Sequence, residues 1–238
     1  MSLKRLSPTL LLLAVSLAAR AETIEWKGIK WDVKQGPNMG PGPNLWSAAN
    51  VSVDTNGNLH LKIARGASGW TCAEIDSASP MGFGTYQWQV EGPIDRLDKN
   101  VVLGLFGYAG PDGVNEIDVE FAQWGHDNPK RGSWTVYPNP GGKKRSTSFP
   151  FSLTGTYTTS RYEWSPGGIH YWFMGGHQPA DQTRNVIREW DYEPENRLDI
   201  PQKPMPLCMN LWLFESKGPS DDKPVEIVIH DFRFVPAK

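Results

Sequence analysis

From residue 59 onward, short runs of alternating apolar and polar residues recur between clusters of Gly, Pro, Asn and Asp. A period of two sends successive side chains to opposite faces of an extended chain, so each run predicts a β-strand with one face buried. The pattern predicts eleven strands, over 59–64, 70–76, 85–91, 101–108, 115–122, 133–137, 160–164, 169–174, 186–191, 207–214 and 225–235. Turn sequences separate them, among them Asn56-Gly57-Asn58, Gly110-Pro111-Asp112-Gly113 and Pro166-Gly167-Gly168, which supply positive or preset φ. The stretch 36–44 is irregular, and it reads either as a lid over a cleft or as a surface loop.

Strands with one apolar face each are buried most economically as two antiparallel sheets packed face to face. The expected fold is therefore all-β, a jelly-roll sandwich. Composition agrees: 24 Gly and 20 Pro in 238 residues disfavour a helical bundle, and 39% hydrophobic residues are enough for a sizeable core. The eleven Trp exceed what packing needs. More than half are expected in the core, and the rest suit a ligand surface whose flat rings match the C–H faces of sugars.

The formal charge of −2, with signs mixed along the chain, gives no electrostatic footprint for nucleic acid. At the N-terminus, Lys4 and Arg5 precede an apolar run over 9–19, and Ala19-Arg20-Ala21 has a small-x-small pattern. Residues 1–21 thus read as a cleaved secretory signal, too short to span a bilayer, and 22–238 as a single domain that is secreted or periplasmic. Stable membrane insertion is not expected, and a monomer is. Export permits a disulfide between Cys72 and Cys208, and buried free thiols are the alternative. The five His have none of the spacings that mark zinc sites.

The segment Asn115-Glu116-Ile117-Asp118-Val119-Glu120-Phe121 carries the chemistry. On a strand, its three carboxyls share one face while Ile117, Val119 and Phe121 enter the core. Like charges in a row repel, so solubility alone would favour a mixed face. The Cα atoms of Glu116 and Glu120 would lie about 13 Å apart, and inward-leaning side chains would bring the carboxyls to roughly 5–6 Å, the separation of a retaining glycosidase pair. One would act as nucleophile and the other as acid and then base, with Asp118 between them hydrogen-bonding the nucleophile and raising the proton affinity of the acid.

These residues resemble glycoside hydrolase family 16, the retaining β-glucanases. Glu116-Ile117-Asp118-Val119-Glu120-Phe121 is similar to the family's catalytic strand without a β-bulge, and Met209-Asn210-Leu211-Trp212 to a strand lining its cleft. Gly82-Phe83-Gly84-Thr85-Tyr86 and Leu105-Phe106-Gly107-Tyr108 resemble further family stretches in the same order. The resemblance covers most of 22–238. It implies a concanavalin-like jelly roll with its cleft on the concave sheet, Glu116 as nucleophile, Asp118 as assisting acid and Glu120 as general acid/base. It further implies that Asn44, Glu74, Phe106, Tyr108, Tyr137, Asn210 and Trp212 lie near substrate, and that a structural calcium ion sits near Gly57 and Asp231, with no cofactor needed for catalysis.

Val114 and Asp76 stand where lichenase-like members often have Trp and Arg, which bears on the linkage accepted. The implied substrate is a β-1,3- or mixed-linked β-1,3-1,4-glucan, with galactan or xyloglucan as alternatives. The basic run Lys143-Lys144-Arg145 reads as a solvated loop or as a contact for an acidic polysaccharide. Two further readings stay open: a lectin-like binding module on the same sandwich, and a transglycosylase sharing the covalent intermediate.

Overall fold

The computed structural model describes residues 22–238; the predicted signal segment, 1–21, lies outside the described residues. Eighteen strands follow in order: β1 (Glu22–Trp26), β2 (Ile29–Val33), β3 (Gly36–Met39), β4 (Asn44–Trp46), β5 (Val51–Val53), β6 (Leu59–Gly66), β7 (Gly69–Thr71), β8 (Ala73–Ser77), β9 (Gly84–Glu91), β10 (Val101–Tyr108), β11 (Glu116–Ala122), β12 (Gly132–Tyr137), β13 (Arg145–Phe149), β14 (Tyr157–Trp164), β15 (Ile169–Gly175), β16 (Val186–Tyr192), β17 (Leu207–Leu213) and β18 (Val225–Pro236). Helix among the described residues is limited to three single 3₁₀ turns.

The strands form two large antiparallel sheets, as the alternation predicts. The first runs β1-β2-β8-β17-β10-β11-β12-β13 and the second β16-β15-β14-β9-β18-β6-β5, with β7 attached to β6. Their inner faces share one apolar cluster that includes Leu61, Trp88, Leu103, Val119, Phe121, Tyr162, Phe173 and Leu211. Aromatic rings stack within and between the layers, with Tyr86 and Tyr162 at 4.6 Å on neighbouring strands of the second sheet and Trp134 of the first sheet against Tyr171 of the second at 5.2 Å. Each such pair adds about 0.5–1.5 kcal/mol beyond its area burial. Seven of the eleven Trp (Trp26, Trp31, Trp46, Trp88, Trp134, Trp164 and Trp212) are buried, which meets the expectation that most are core.

The structure adds β1, β2, β5 and β13 to the predicted strands and departs from them in two further ways. The stretch predicted as one strand over 70–76 is two: β7 pairs with β6 in the second sheet and β8 with β17 in the first, so the chain changes layers at Cys72. The irregular stretch 36–44 contains β3, a turn and the start of β4, which pair with each other. Cys72 and Cys208 are both free and buried. Cys208 pairs with Asp76, four residues beyond Cys72 on the adjoining strand, an offset of roughly 13 Å that no disulfide spans.

Candidate active site

Strand β11 is positioned by its apolar half. Ile117, Val119 and Phe121 are fully buried between the sheets, so Glu116, Asp118 and Glu120 point to the outer face of the first sheet. The register sets their neighbours. Glu116 lies between Tyr108 and Tyr137, Asp118 between Phe106 and Thr135, and Glu120 between Gly104 and Ser133. One strand further, Asn210 follows Gly104, and Glu74 follows Asn210. The row Glu120–Gly104–Asn210–Glu74 thus crosses four strands, with no side chain at Gly104. A Cβ there would come within 2.4 Å of Asn210 Oδ1, so the glycine makes room for that amide.

Asp118 donates a hydrogen bond to Glu116, which lowers the proton affinity of Glu116 and raises that of Asp118. Burial pushes Glu116 up to about 7, with the charge of Asp112 adding to the shift and Lys144 opposing it. Burial also raises Glu120 to about 7, with Glu116 adding and Lys144 opposing. Asp118 is held well above the usual carboxylate range, first by burial and then by the charges of Glu116 and Glu120. The three carboxyls therefore titrate as a set. Near neutral pH they hold protons and negative charge side by side, the combination that paired acid and nucleophile chemistry requires.

Glu116 borders a cleft of about 870 Å³ lined also by Phe106, Tyr108, Tyr137, Glu74, Asp76 and Cys208, with Lys34 and Gly40–Gly42 on one rim, while Asp118 and Glu120 follow it along β11 outside that lining. Asn210 Nδ2 donates to Glu74 Oε2 at 2.9 Å, and Lys34 Nζ pairs with Glu74 Oε1 at 2.5 Å. Lys34 also donates to the Gly40 carbonyl and lies 4.5 Å from the Trp46 ring centre. Burial pushes Glu74 up to about 7 despite that ammonium. Asp76, whose carboxyl is also raised by burial, stands across from Cys208, and its Oδ1 has no partner.

Glu74, Phe106, Tyr108, Tyr137 and Asn210 thus gather around the acids, and two other predicted subsite residues do not. Trp212, two residues past Asn210 on β17, is only 8% exposed and packs edge-on against Trp124 at 6.3 Å. Asn44 is buried, and its amide donates to the carbonyls of Pro41 and Leu213, so it fastens the rim loop to the end of β17. The cleft also uses residues that the alternation does not single out. Lys34 and Asp112 line it from loops, whereas Trp124 and Phe214 group with Trp212 outside its lining. Their positions depend on tertiary contacts that carry no periodic signal.

Gly57 and Asp231 both reach the corner formed by Trp26 and Lys27, and they do not fit a calcium site as they stand. The Gly57 carbonyl accepts from the Trp26 indole at 2.8 Å, and the Asp231 carboxylate is paired with the Lys27 ammonium at 3.2 Å. A hard cation needs six or more oxygens, and here a lysine already supplies the positive charge.

Comparison with known proteins adds three findings. The model of Glycosyl hydrolases family 16 matches residues 43–224. A β-glucanase of Paenibacillus macerans is 28% identical over 212 residues, which cover 84% of this chain and 81% of that protein. Among solved structures, a β-glucanase of Bacillus licheniformis superposes with a TM-score of 0.64 at 22% identity, covering 90% of this chain and 95% of that one. A second, described as an immunostimulatory antigen and pseudo β-1,3-glucanase of Mycobacterium tuberculosis, gives 0.63 at 20% identity, over 87% and 91% of the two chains.

Proposed function

Because the chain belongs to the glycosyl hydrolases of family 16, we propose that it is a secreted, endo-acting retaining glycosidase that cuts a β-1,3- or mixed-linked β-1,3-1,4-glucan. The observation that carries this reading is the row of three carboxyls on β11, in which the proton of Asp118 is shared toward Glu116. Glu116, relieved of its proton, attacks the anomeric carbon, and the glycosidic oxygen leaves with the proton of Glu120. Glu120, now a carboxylate, takes a proton from water, whose oxygen displaces Glu116 and releases the sugar with its original configuration. Asp118 stays protonated and holds Glu116 in place. Phe106, Tyr108 and Tyr137 offer ring faces to the sugars, and Glu74 with Asn210 offers hydrogen-bonding groups farther along the chain. The named β-glucanase relatives support a β-glucan as substrate. Asp76, in place of an arginine, sets the contacts at the far end apart from lichenase-like members.

The pseudo-glucanase neighbour keeps a non-catalytic, carbohydrate-binding reading in view. Reducing-end release from a panel of β-glucans, xyloglucan and galactans separates the two. One polymer is expected to be cut, with Glu116→Ala and Glu120→Ala each lowering kcat/KM by several orders of magnitude in folded protein. Binding without cleavage, unchanged by both substitutions, would assign a lectin. Larger oligosaccharides among the products would show that sugar, rather than water, resolves the intermediate.

A further inference from the structure

The basic run 143–145 is not a uniform solvated loop. The hairpin between β12 and β13 is pinned to the turn at Arg197–Asp199: Asn139 donates its side-chain amide to the Ile200 carbonyl at 2.6 Å and its backbone N–H to Leu198, and the Lys143 N–H donates to Asp199 at 2.8 Å. Gly142 lies flush against this turn, where a Cβ would meet the Leu198 carbonyl at 2.2 Å. Held there, the hairpin lays the next side chain, itself solvent-exposed, across Tyr137. Lys144 Nζ donates to the Tyr137 hydroxyl at 2.9 Å and lies 4.2 Å from the centre of that ring. Tyr137 stands directly across from Glu116 and lines the cleft with it.

We infer that Lys144 is a positioning residue of the active site, a fixed positive charge at the cleft wall that keeps Glu116 available as a carboxylate and sets the pH range in which the β11 carboxyls work. The inference rests on the reading of Glu116 and Glu120 as the catalytic pair. The charged and titratable groups that feel Lys144 are Glu116, Asp118 and Glu120 from β11 and Tyr137 from β12, and Tyr108 from β10 and Asp112 from the loop after it line the same cleft. Lys143, Arg145 and Asp199 lie on its own hairpin and on the turn beneath. The lysine opposes the upward shift of all three β11 carboxyls, whereas Asp112 adds to that of Glu116. Loss of the lysine charge therefore moves carboxyl titration to higher pH.

The test uses carboxyl-labelled glutamate and NMR titration of wild type, Lys144→Met and Lys144→Arg, with pH–rate profiles on the best polymer of the panel. Lys144→Met is expected to raise the titration midpoints of Glu116 and Glu120 by about half a unit or more. Both limbs of the rate profile should move the same way, and Lys144→Arg should restore them. A lysine serving only to brace the hairpin would leave the midpoints unmoved in Lys144→Met, and that result overturns the inference. The NMR arm needs no turnover. A shifted titration in a protein that cuts nothing would uphold the electrostatic role of Lys144 and remove the glycosidase reading, and cleavage with unmoved midpoints would do the reverse.

Discussion

Glu116, Asp118 and Glu120 are folded into a position that opposes their ionisation. Each carboxyl takes up its proton more readily in the folded chain than in the unfolded one, where carboxylates titrate near 4. The folded protein thus binds more protons between about pH 4 and 7, and linkage makes its stability fall as pH rises through that window. Below it, the carboxyls are neutral in both states and the penalty vanishes. Glu120→Gln, which keeps the shape and removes the charge, is expected to stabilise the protein by on the order of 1–2 kcal/mol at pH 8 and hardly at all at pH 4. Urea denaturation at the two pH values measures this, and equal effects at both would show that Glu120 is not strained by its charge. The trio was legible from sequence because strict alternation of acid and apolar residues has one folded outcome. Lys34 and Lys144 were not, since a lysine on a loop looks the same whether it meets solvent or the Tyr137 ring.

Among the elements, legibility followed the apolar face. β10 and β11 are central strands with buried Val, Leu, Ile and Phe, and their predicted bounds agree with the structure to within a residue. β13, with the sequence Arg-Ser-Thr-Ser-Phe, buries only Phe149 and has no alternation to detect. β1 to β5 are short and lie near sheet edges, where pairing with a neighbour rather than intrinsic pattern makes the strand. The break at Cys72 was hidden for another reason: the residues on either side are extended, and only the choice of partner changes. Asn44 shows how such a segment acquires function indirectly, by tying the Gly40–Gly42 rim to the floor strand β17. Asn44→Ala leaves the Leu213 carbonyl without this donor and is expected to cost about 1–3 kcal/mol. The rim loop should then be cut faster in limited proteolysis, and an unchanged digestion pattern would mean that β3 and β4 hold the rim without it.

At the scale of the molecule, stability rests on one shared core with no covalent cross-link among the described residues. The Cys72 thiol is sealed inside, where burial raises it to about 12, and Cys208 is buried at the floor of the cleft. Reductant is therefore expected to leave Tm unchanged, and a thiol reagent should label Cys72 only after denaturant is added. A drop in Tm with reductant would reveal a bridge and contradict the register of β8 against β17.

That register also has a temporal meaning. β17 separates β10 from β8, so the half of the cleft bearing Glu116 and the half bearing Glu74 are joined by residues 207–213, which come long after both in the chain. As the ribosome makes the protein, both halves have emerged long before the seam between them exists. The nascent chain holds every acid of the site and has no site, and the cleft comes into being only when β17 has followed them.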